Sequence, residues 1–97
     1  MKQVDMITCF CGGDFHSILD ERASSLSCRL NIEDDIGLYC YEDLIAVAKI
    51  ETNEFLIINR IDETNVMYQL LSKIKRELLD LSVNYICKND FNIVGYY

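Results

Sequence analysis

The residues of this 97-residue chain richest in chemistry are Cys9, Cys11, Cys28, Cys40 and Cys87, with His16 as the single histidine. Cys9-x-Cys11, followed by His16, Cys28 and Cys40, offers enough sulfur and nitrogen to surround a zinc ion. Structural zinc sites use two ligand pairs, each spaced by about two to four residues. Here only one pair exists, and its single-residue gap would point both thiols to one face of a strand. Packing as small apolar side chains accounts better for these cysteines, and no metal is expected. Cys11, Asp14 and His16 form a second set, a thiol with a base beside it. Asp14 opposes the thiolate that such chemistry needs, and neighbours along one turn seldom reach transfer geometry. The chain therefore reads as a non-enzyme with no catalytic residue and no cofactor.

Gly12-Gly13 precedes a capping residue, as a phosphate-binding turn does, but the lysine and the longer glycine spacing of a phosphate loop are missing. Asp14 would also repel the phosphate. The acidic pairs Asp34-Asp35, Glu42-Asp43 and Asp62-Glu63 lack the alternating oxygen ligands of a calcium loop. They suit a different task. Nine acids and two bases fall between residues 31 and 63, so the whole net charge of −7 lies in that third of the chain. Such a field repels nucleic acid and attracts basic protein surfaces. Carboxylates can occupy an arginine- and lysine-rich groove that otherwise holds phosphates. A solvated face that keeps a small protein soluble is the plainer reading of the same charges.

Tyr39 and Tyr41, two apart on one expected strand, add apolar area and hydroxyls beside those carboxylates. Packing beneath a helix would use the same two tyrosines. The expected partner-binding set is Glu33, Asp34, Asp35, Tyr39, Tyr41, Glu42, Asp43, Glu51 and Glu54.

The elements that must carry these residues follow from periodicity. Residues 4–10 read as a strand, with Met6, Ile7, Cys9 and Phe10 apolar. Residues 11–14 read as a turn. Asp14 then caps a helix whose stripe is Phe15, Ile18, Leu19, Ala23, Leu26 and Leu30, weakened by Ser24, Ser25 and Ser27. Residues 31–37 form an acidic connection. Residues 38–50 form a strand region bent or bulged at Glu42-Asp43. Residues 51–54 make a hairpin turn, with Asn53 suited to a positive φ. The return strand, 55–58, is apolar on both faces and is expected to be central and covered on both sides. Met67, Leu70, Leu71, Ile74, Leu78 and Leu81 form one stripe of a helix over residues 63–81, opened by Asp62 or Thr64. Residues 84–90 turn the chain, and 91–97 add a last strand ending in Tyr96-Tyr97. The order is β-α-β-β-α-β: an α+β class, with two helices on one face of a mainly antiparallel sheet.

Hydrophobic residues make up 51% of the chain, with no proline and four glycines, which suits one domain over residues 1–97. No apolar run approaches the length of a membrane span. Asp5 interrupts any secretory apolar segment, and the odd cysteine count suits a reducing cytosol.

Cys40-Tyr41-Glu42-Asp43-Leu44-Ile45-Ala46, then a hairpin, then Thr64 opening a helix, resembles a class of short phage- and plasmid-borne proteins. Their pattern has Ser and Thr where this chain has Cys40 and Asp43. In size, charge and class the chain also resembles phage anti-defence inhibitors, including anti-CRISPR proteins. The resemblance implies a mobile-element protein acting by binding in the host cytosol. The expected function is then a non-enzymatic module whose acidic middle occupies the basic surface of a host nucleic-acid-binding protein, such as a defence nuclease. It would have no nucleic acid or membrane partner of its own. Two alternatives are a structural subunit that homodimerises through its sheet edge or tyrosine face, and a zinc- or cysteine-based protein.

Overall fold

In a computed structural model, which describes residues 1–89, the α+β class and the mainly antiparallel sheet are as expected. The sheet has six strands in chain order: β1 (Arg22–Ala23), β2 (Leu26–Leu30), β3 (Ile36–Cys40), β4 (Asp43–Lys49), β5 (Glu54–Asn59) and β6 (Tyr85–Asn89). β1 to β5 form an antiparallel meander. α1 (Gln3–Cys11) precedes them, and α2 (Asn65–Asp80) crosses over to β6, which runs parallel to β5. No helix among the described residues is long and apolar enough to cross a membrane.

The first third departs from the expected order. Residues 4–10 lie in α1 rather than in a strand, because Met6, Ile7, Phe10 and Cys11 recur at helical spacing and are the residues the helix buries. Gly12 and Gly13, at φ +82° for Gly13, then end a helix. The helix expected after Asp14 is absent. Asp14 instead receives the Ser17 hydroxyl at 2.9 and 3.0 Å within a run of turns. Leu26 and Leu30 fall in β2, where Leu26 and Cys28 alternate inward. The serines tip the balance, since Ser24 takes a positive φ in the β1–β2 turn.

α2 is the element closest to expectation. Thr64 caps it by accepting the Met67 amide at 3.2 Å, and Met67, Leu70, Leu71, Ile74 and Leu78 are buried. Leu81 follows the last helical residue and stands 46% exposed, outside the stripe assigned to it. Both helices join the inward residues of the sheet in one core, which includes Phe10, Leu38, Ile57 and Ile74. The Phe10 and Phe55 rings meet edge to face, with centroids 5.5 Å apart.

The 38–50 region is two strands, not one bent strand. Tyr41, at φ +55°, and Glu42 reverse the chain between β3 and β4. A register shift between Leu38 and Tyr39 sets Ile45 as the extra residue of β4. The hairpin at 51–54 forms as read, with Asn53 at φ +56°. β5 lies inside the sheet, but the helices cover only the face that carries Phe55 and Ile57. Residues 84–90, expected as a turn, contain β6. The expected last strand, with Tyr96 and Tyr97, lies outside the described residues.

Candidate functional site

The expected binding set does not form one surface. β3 starts at one end of the sheet and finishes at the other, roughly 17 Å away for five residues. The hairpin turns after β2 and β4 share the first end. The turn between β3 and β4 sits at the second.

At the first end, Asn31 organises the acidic loop. Its side-chain oxygen accepts the amides of Glu33 and Asp35, both at 2.9 Å, and its own amide donates to the Asp35 carbonyl at 2.8 Å. Asp34 takes φ +61°, a conformation aspartate tolerates better than most residues. This closed loop fixes the backbone that carries three successive acids. The β4–β5 turn stands beside it and contributes Glu51 and Thr52. Together they line a cleft of about 510 Å³ with Glu33, Asp34, Asp35 and Lys49. Glu54, paired in register with Lys49, lies at the same end but not in the cleft. Four acidic residues from two separate turns thus line one cleft with a single lysine.

At the second end three acids share two arginines. Glu42 meets Arg29 at 3.4 Å, Asp43 meets Arg60 at 3.3 Å, and Asp62 meets Arg60 at 2.9 Å. The hydrogen bond from Arg60 holds the Asp62 carboxyl below its ordinary pKa. None of the described ion pairs holds Glu33, Asp34, Asp35 or Glu51. The excess charge of the middle third is therefore least compensated at the first end, where four acidic residues share a cleft with one lysine, while two arginines offset part of the acid charge at the second.

Tyr39 and Tyr41 do not share a face. Tyr41 is a turn residue, 69% exposed. Tyr39 lies half-buried on the sheet face away from the helices, its ring stacked 4.0 Å beneath the Arg29 guanidinium. Neither expected role, packing under a helix or pairing with Tyr41, describes it.

Asn31, Lys49, Arg29 and Arg60 shape the two ends and were missing from the expected set. Asn31 ahead of three acids is a readable loop-closing signal. The arginine pairings depend on strand register, which the sequence does not display.

The cysteines are placed for packing. Cys11, Cys28 and Cys40 are buried, Cys9 is partly covered, and Cys87 is exposed. Burial, with Glu77 nearby, pushes the Cys11 thiol up to about 12, and it donates to the Ile74 carbonyl at 3.8 Å. Burial, with Asp20 nearby, pushes Cys28 up to about 11. Burial also raises Cys9, reinforced by Asp14 and Asp5, and raises Cys40 despite a hydrogen bond with Ser25. High thiol pKa values are the reverse of what a nucleophile requires. His16 is exposed on the turn that follows α1. Among the described residues no group of three or more His, Cys, Asp and Glu side chains could hold a metal ion.

No protein-family model, curated protein or solved structure matches this chain.

Proposed function

We propose that this protein is a non-enzymatic binding module whose acidic cleft, Glu33, Asp34, Asp35 and Glu51, occupies an arginine- and lysine-rich surface on another protein. The observation that carries the reading is the convergence of two separate turns on one cleft with four carboxylates against Lys49. A surface that normally holds phosphates presents the complementary chemistry, so a nucleic-acid-binding protein of a host cell is the partner class favoured. The free thiols suit a reducing cytosol as the place of action. The second end of the sheet contributes less, because Arg29 and Arg60 already offset two of the three charges of Glu42, Asp43 and Asp62.

A nona-arginine peptide serves as probe. Exposed charge pairs contribute about 0.2–1 kcal/mol each, so removing four should weaken binding by about 1–4 kcal/mol. The test variant combines Glu33→Gln, Asp34→Asn, Asp35→Asn and Glu51→Gln. A control combines Glu42→Gln and Asp62→Asn. Loss of affinity in the first with little change in the second supports the reading. Equal loss in both, or no loss in either, rejects it.

A further inference from the structure

β6 stands apart from the rest of the sheet. All five of its side chains are exposed, including Tyr85, Ile86 and Cys87, and its one strand partner among the described residues is β5. Its outer edge there carries backbone donors and acceptors with no ladder partner. The opposite edge is protected: β1 has two residues and follows Asp20-Glu21. Short edges and charges of that kind hinder edge-to-edge pairing, whereas β6 is longer and apolar in three of five positions, with Lys88 as its single charge.

We propose that β6 pairs antiparallel with β6 of a second copy of this chain, about a two-fold axis through Cys87. Self-association of a chain with net charge −7 must avoid its acidic ends, and β6 is the edge that does so. Keeping the helices of both copies on one side of a continuous sheet requires residues of the same face to pair. That restricts the axis to a residue. Centring on Cys87 pairs all five positions: Tyr85 with Asn89, Ile86 with Lys88, and Cys87 with itself. Centring on Lys88 would set two ammonium groups opposite each other, which is unfavourable. Charge complementarity favours the Cys87 register further. Leu56 pairs with Ile86, so Glu54, Ile86 and Lys88 share the face away from the helices. Lys88 of one copy, opposite Ile86 of the other, is thereby carried toward the other copy's Glu54, about 12 Å away between Cα atoms at ordinary strand spacing. This pairing leaves the acidic cleft free.

Sedimentation of the reduced full chain over about 1–100 μM tests the proposal. The expected result is a particle of twice the 11.3 kDa chain mass. Mild oxidation should then link the copies through Cys87, and Cys87→Ser should remove the link while the particle stays dimeric. Ile86→Lys, at a position 55% exposed, should give a monomer with nearly the wild-type melting temperature. A monomer across the whole range overturns the proposal. So does a dimer that Ile86→Lys leaves intact, or a cross-link that survives Cys87→Ser.

Discussion

The Tyr39 ring lies over Gly37, two residues earlier on β3, so closely that a Cβ at position 37 would come within 2.8 Å of Tyr39 Cε1. The same Cβ would meet Leu44 Cδ1 and the Tyr39 hydroxyl at 3.1 Å. The absent side chain of Gly37 is what lets the tyrosine fold along its own strand and hold Arg29 above its ring. Arg29 is in turn the partner of Glu42. One glycine thereby helps to neutralise one end of the acidic segment.

Gly37→Ala should therefore destabilise the protein by about 1–3 kcal/mol, since the ring must leave its seat and strain follows. In a Tyr39→Ala background the same change should cost less than half as much, because most of the clash is gone. Denaturant unfolding of the four proteins in that cycle measures the coupling. Additive losses would show that the ring does not depend on the glycine.

Leu71→Ala or Ile74→Ala should cost about 2–5 kcal/mol, because both side chains are buried in the shared core. A domain of this size holds only about 5–10 kcal/mol, so either variant should be partly unfolded near body temperature. Arg76→Ala, on an exposed position of α2, should change stability by less than about 0.5 kcal/mol. Calorimetric melting distinguishes the two groups. Leu81→Ala belongs with the mild group, since Leu81 is half exposed.

The buried thiols predict an alkaline limit. Cys11 and Cys28 titrate near 12 and 11 in the fold, against an ordinary value of 9.0. A group with a raised folded pKa gives its full stability below the unfolded pKa and loses it as pH rises toward the folded value. Stability should thus hold up to about pH 8.5 and drop by roughly 3 kcal/mol by pH 10 through these two thiols together. Cys11→Ala combined with Cys28→Ala should lower stability at pH 7 yet flatten the slope between pH 8.5 and 10. An unchanged slope in denaturant midpoints over that range would reject the assignment.

Thr64→Ala should cost about 1 kcal/mol, because it leaves the Met67 amide without its cap. Thr64→Ser should restore most of the loss. Equal losses in both would place the effect elsewhere in the threonine.

The later part of the fold was readable because its signals are unambiguous. Five apolar residues at helical spacing behind a threonine, Met67, Leu70, Leu71, Ile74 and Leu78, allow little but α2. Asn53 between two apolar runs allows little but a hairpin. The first third misled because two periods overlap in it. Val4, Ile7, Thr8 and Phe10 favour a strand individually, while Met6, Ile7, Phe10 and Cys11 mark a helix by spacing, and packing against α2 decided for the helix. Phe15 to Leu30 has helical spacing too, but its serines and its alternating Leu26 and Cys28 served a turn and a strand. The acidic character of the middle was legible as a sum. Its division between two ends was not, since that depends on where β3 and β4 reverse, and Tyr41 is an unusual residue to hold the positive φ of that turn.

Amide chemical-shift mapping of the nona-arginine peptide at physiological salt shows which end of the sheet a basic partner meets. Screening acts over about 8 Å there, so the peptide senses local charge rather than the net −7. The account predicts the largest shifts at residues 33–35 and 49–52, small ones at 41–43 and 62, and their loss at high salt. Largest shifts at residues 41–43 and 62, or shifts spread evenly over the acidic residues, would contradict it.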